Sequence, residues 1–165
     1  MLLTLILSLT VILSVLLMLY SAVALIQKKA LFPSAPKDIQ AVIRDRKKER
    51  FKGARILGVI LLVISMLGFA GAFLYGAIDG IHNDFSVWQF FLRFSVIFYI
   101  YKTFDIICLD WLLLTKLHFF QHYYPETNGC EGYRKFGFNR KSQIMKIILF
   151  PFISFAAALI CRLFA

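Results

Sequence analysis

The amino-acid sequence predicts an all-α polytopic membrane protein, a bundle of four transmembrane helices joined by two basic cytosolic loops. Three observations carry this. Hydrophobic residues make up 60% of the 165 positions, charged residues only 17%, and mean hydropathy is +0.75. Soluble domains are typically about 45–50% apolar and about 25% charged, and one small water-soluble core cannot hide such an excess. Finally, the apolar residues fall in runs near the length a membrane-crossing helix needs, about 20 residues.

The first run, 2–26, has no charge. It lacks the positive leader of a signal peptide and exceeds the usual apolar stretch of one, so it is expected to be a span, not a cleaved leader. The segment from Gln27 to Arg55 follows, with ten Lys and Arg against Asp38, Asp45 and Glu49. Ser34 with Pro36 offers a helix start. Beyond it, Ile39, Val42, Ile43 and Phe51 give a thin apolar side, either a surface helix on anionic headgroups or a solvated basic loop. The second expected span is 56–78. Gly68, Ala72 and Gly76 recur there every fourth residue, a small face for helix packing within the chain or between copies. Asp79 to Phe85 reads as a short polar turn.

The third expected span, 86–114, carries Arg93, Lys102, Asp105 and Asp110. Trp88 and Trp111 are separated by about 34 Å at α-helical rise, matching two interfacial aromatic belts. That depth puts Lys102 about 4 Å and Asp105 about 8 Å from the midplane, with Arg93 free to snorkel outward. Lys102 and Asp105, three apart on one helix face, are expected to pair in the bundle interior, as a relay for a proton or polar solute or as a packing device. A second basic loop runs from Lys116 to Gln143. The fourth expected span is 144–164, kinked at Pro151. Because the first and third connections hold ten and six basic residues, the latter counting Lys146 just inside the fourth span, and the second none, the positive-inside rule puts both basic loops in the cytosol and both termini outside, in a plasma or inner membrane.

The remaining chemistry is sparse. His118 and His122, at i and i+4, are weak metal candidates, since two ligands do not fill a site. Asp110, His118, His122, Glu126 and Glu131 are the candidate acids, bases or ligands of an enzyme acting on lipid headgroups at the cytosolic face. The stretch from Tyr123 to Tyr133, with Pro125 and Asn128-Gly129, is either a pocket wall or an ordinary re-entry loop. Cys130 would need a neighbouring base to act as a nucleophile. Nucleotide-binding, serine-hydrolase, zinc-protease and dinucleotide motifs are absent, and the odd count of three cysteines includes no C-x-x-C pair. No cofactor or nucleic-acid partner is expected. The expected partners are the bilayer, anionic headgroups at the basic loops, and a second copy or another membrane protein. The leading expectation is a non-catalytic membrane component that packs with partner helices or assists movement of a small polar solute or proton. The headgroup enzyme is the alternative.

Overall fold

The computed structural model describes residues 1–32, 35–137 and 139–165. Ser34, the expected helix start, lies outside the described residues. Helix α1 covers Leu2–Tyr20 and continues as a π-helical stretch, Ser21–Ile26. The short α2 is Lys37–Val42, entered from the extended Pro36. Helix α3 is Ala54–His82, α4 is Val87–Phe104 with a π-helical continuation Asp105–Lys116, α5 is Phe119–Tyr123 and α6 is Arg140–Arg162.

The chain is a multi-span, all-α membrane protein, but the expectation of four spans is corrected: among the described residues three helices qualify as membrane-spanning. Leu2–Ile26, Ala54–His82 and Arg140–Arg162 are long and apolar enough to cross a membrane. Only 28%, 17% and 17% of their most apolar windows are buried by protein, so these helices turn most of their hydrocarbon outward, where only lipid is a suitable solvent. The expected span 86–114 does not qualify. Arg93, Lys102, Asp105 and Asp110 interrupt its apolar character, and at Asp105 the hydrogen bonding shifts to the i→i+5 pattern of a π-helix. Such a helix climbs less per residue than an α-helix, so the depth read from Trp88 and Trp111 loses its basis. The second span is also longer than expected: α3 runs on through Asp79 to His82, so Asp79 is helical and not part of the turn.

The chain divides into two compact units. The first comprises Met1–Ser14, Met66–Phe104 and Arg140–Ala165. Here Leu7 and Val11 of α1 pack with Ala72 of α3 and Ile97 of α4. The small face lies against other helices of the same chain. A Cβ on Gly68 would sit 2.6 Å from Ser14 Oγ, one on Gly76 would sit 3.1 Å from Leu7 Cδ1, and Ala72 is buried. Helices α4 and α6 are antiparallel neighbours, with Phe98 stacked on Phe150 at 4.8 Å and Phe91 edge-on to Phe155 at 6.2 Å. Pro151 has no N–H to give to the carbonyl one turn back, that of Ile147. The Tyr99 hydroxyl donates to that carbonyl at 3.2 Å, so α6 keeps a proline without leaving this polar group orphaned. In α1 a hydroxyl satisfies itself locally: Ser8 donates to the Thr4 carbonyl at 2.8 Å. Helix α4 opens on a reciprocal cap, in which the Ser86 amide donates to Gln89 Oε1 at 2.8 Å and the Gln89 amide to Ser86 Oγ at 3.4 Å.

The second unit comprises Val15–Ser65 and Asp105–Asn139, and so gathers most of both basic connections. Its core is Val23, Phe32, Ile39, Ile43, Leu114, Tyr124 and Tyr133. Ile39 and Ile43, the thin apolar side of the first basic connection, are buried in this core. Gly132 donates its amide to Asp38 Oδ2 at 2.7 Å, joining the two basic segments.

Candidate functional site

In the first unit two cations are buried. Arg93 does not snorkel outward as expected. Its Nη1 lies 2.7 Å from Asp79 Oδ2, donates to the Gly76 carbonyl at 2.7 Å, and its guanidinium carbon lies 4.3 Å over the Phe85 ring. A cavity of 320 Å³ opens beside it, lined also by Thr4, Phe85 and Gln89. The sequence held a signal for this pair that was missed. Asp79 and Arg93 are nearly equidistant from the turn at Phe85 and Ser86, so folding α3 back on α4 sets them opposite each other. Lys102, near the end of the α-helical part of α4, is 2% exposed. Asp105, half-buried, opens the π-helical stretch.

In the second unit the expected acids and bases each have their own surroundings. Asp110 Oδ2 accepts from Asn139 Nδ2 at 3.1 Å, and its backbone carbonyl accepts from Thr115 Oγ1 at 3.0 Å. Asp105, Asp110 and Thr115 are spaced by five, a period that an i→i+5 helix keeps near one face and an α-helix scatters. His118 is exposed, has a left-handed backbone (φ 49°) and precedes α5, so the helical i, i+4 geometry expected for His118 and His122 is absent. Its ring meets Tyr133 edge-on at 6.3 Å, whereas His122 meets Tyr123 at 4.9 Å. Glu126 pairs with Arg46 at 2.6 Å, and Glu131 with Lys135 at 2.5 Å on the surface. The Lys135 ammonium holds the Glu131 carboxyl below its ordinary range. Among the described residues, no three His, Cys, Asp or Glu side chains are grouped to hold a metal ion.

Burial, seconded by the charge of Asp38, pushes the Cys130 thiol up, away from the thiolate a nucleophile needs. Two buried hydroxyls of this unit are linked: Thr127 Oγ1 lies 2.7 Å from Tyr133 Oη and donates to the Tyr124 carbonyl at 2.6 Å. Burial pushes Tyr133 up from 10.0 to about 12, the Thr127 hydrogen bond opposing it, and pushes Tyr124 further still, opposed by Arg46. Both shifts favour the neutral phenol in the fold. This contribution to stability is therefore whole below pH 10.0 and lost as pH rises through about 12. Alkaline titration followed by tyrosinate absorbance and circular dichroism should show stability falling above about pH 10, with a shallower fall in Tyr133→Phe. An unchanged slope in that variant would contradict the assignment.

Arg46 and its partners have no local sequence signal, because the Arg46–Glu126 contact joins residues 80 apart. Comparison of the chain with protein-family models, with curated proteins and with solved structures found no match.

Proposed function

We propose that this protein is a non-catalytic membrane component that assists movement of a proton or small polar solute, with Lys102, Asp105 and Asp110 as the working groups. The observation that carries this reading is the burial of Lys102 in a helix flanked by apolar ones. A lysine inside a membrane protein costs several kcal/mol of desolvation and marks a pathway or relay by default. Asp105, three residues on in the chain, is the carboxylate proposed to pair with it. The separate partners of Asp110, His118, His122, Glu126 and Glu131 favour this reading over the headgroup enzyme, which needs those groups around one substrate.

The proposal includes orientation. Under the positive-inside rule the basic connections face the cytosol and meet anionic headgroups, and both termini lie on the other side. That the two basic segments pack into one unit supports a shared side for them.

The test is proton flux into vesicles carrying a trapped pH-sensitive dye, with the full chain reconstituted. The wild type should dissipate an imposed pH gradient faster than protein-free vesicles. Lys102→Met should reduce that flux at least about tenfold, the cost of losing a positioned polar group in a relay. Lys102→Arg keeps the charge but cannot release a proton near neutral pH, so it should also stop proton flux while preserving the fold. Wild-type flux in Lys102→Arg would make the residue a packing cation, and flux equal to that of empty vesicles in the wild type would remove the proton reading.

A further inference from the structure

The second unit contains an open cleft of 590 Å³. One wall is the segment between Ala41 and Lys47, which leaves helical structure after Val42, and Glu126 lies across from it. Five charged side chains line this cleft, and three of them are engaged within the fold. Glu126 is committed to Arg46 at 2.6 Å. Arg46 is held in place by that carboxylate, by the Tyr123 carbonyl at 3.2 Å and by the Tyr124 ring, 5.4 Å from its guanidinium carbon. Asp45 Oδ1 accepts the Lys29 backbone N–H at 2.7 Å. Arg55 Nη2 donates to the backbone carbonyls of Arg46 and Lys47, which braces the wall from behind.

Two cations are left over. Arg44 and Lys47 are exposed, and among the described residues neither has an ion-pair partner. The wall is thus pinned by Arg46, Asp45 and Arg55, while its two unengaged cations border a cavity. Ala41 and Val42 add an exposed apolar edge. Two cations on a pinned wall, one a planar fork and one a point charge, suit an anion with several acceptor oxygens, and the apolar edge suits the ester carbons attached to it.

We infer that this cleft binds a phosphate group through Arg44 and Lys47. The group is either the phosphate of an anionic lipid headgroup or a free phosphate anion. The inference rests on the proposed leaflet-facing orientation only for the source of the phosphate.

The experiment uses the full-length, delipidated chain in neutral detergent and reads thermal unfolding in two arms. One arm titrates inorganic phosphate against chloride at constant ionic strength. The other reconstitutes the chain in phosphatidylcholine vesicles with and without phosphatidylglycerol. The variants are Arg44→Ala/Lys47→Ala and, as an equal loss of charge outside the cleft, Lys48→Ala/Lys52→Ala. All four side chains are exposed, so both variants should fold. The expected result is a rise in the unfolding midpoint in at least one arm, with apparent affinity about tenfold weaker in the cleft variant and unchanged in the control. A response to phosphatidylglycerol alone assigns the site to the headgroup. A response to inorganic phosphate alone keeps the site and overturns the leaflet-facing source. Equal weakening in both variants would mean diffuse attraction to a basic surface, and no response in either arm would mean no phosphate site. Each of these last two overturns the inference.

Discussion

Replacing Arg93 with leucine should cost the fold about 3 kcal/mol or more, among the largest single-residue losses expected in the first unit. The guanidinium is 6% exposed and spends one nitrogen, Nη1, on both Asp79 and the Gly76 carbonyl. Leucine restores apolar volume but leaves the Asp79 carboxylate without its countercharge. The usual penalty for stranding one member of a buried pair is about 3–5 kcal/mol. Asp79 keeps 25% exposure, so partial hydration holds the figure toward the lower end. The contact with Phe85 is lost as well, at about 0.5–2 kcal/mol for a cation over a ring. Arg93→Leu/Asp79→Leu should recover a good part of the loss, because no charge is then stranded. Unfolding in mixed denaturing micelles would measure the wild type, Arg93→Leu, Asp79→Leu and the double variant. A wild-type midpoint for Arg93→Leu, or a double variant as unstable as the sum of the two singles, would show that the pair does not carry this packing.

This pair also marks what the sequence makes legible. The three apolar helices could be read from composition and run length, since a bilayer imposes both. The packing face of α3 could be read from small residues every fourth position, because helix periodicity is local. The helix 87–116 was misjudged for a physical reason. Its length and its two tryptophans fit a span, but five charged residues outweigh that fit, and the switch to i→i+5 hydrogen bonding invalidates the distance between the tryptophans. Nothing in apolar patterning marks that switch. Only the five-residue spacing of Asp105, Asp110 and Thr115 follows it. Of the candidate acids and bases, the identities were easy to list, but their partners were not. Glu131 finds Lys135 one turn away, within reach of sequence reasoning. Glu126 finds Arg46, and Gly132 finds Asp38, across separations that no local pattern encodes. The cleft depends on those long-range contacts, so it could not be foreseen from the basic composition of its segment.

Gly132→Val should loosen the second unit by about 2–3 kcal/mol, through overpacking and a lost hydrogen bond together. The constraint is space. A Cβ at this position would lie 2.5 Å from Pro36 Cβ and 2.6 Å from Asp38 Oδ1, closer than side chains tolerate. Pro36 is a rigid ring and Asp38 is already fixed by the Gly132 amide, so neither yields without moving the 36–38 segment off the 131–133 turn. Separation would expose Ile39 and Tyr133, which share one buried cluster, and would widen the cleft that Glu126 and Arg46 close. Asp38→Asn removes charge but keeps a carbonyl oxygen to accept the same amide, so it should cost less than Gly132→Val. The opening should be local, because the packing of Leu7, Val11, Ala72 and Ile97 involves none of these residues. Limited trypsin digestion reads it directly. The Lys- and Arg-rich segments 44–55 and 134–141 should be cut faster in Gly132→Val than in the wild type, with Asp38→Asn between them, while cleavage after Arg93 stays slow in all three. Wild-type cleavage in Gly132→Val would mean that the two basic segments do not depend on this contact. Fast cleavage after Arg93 would mean that the two units unfold as one.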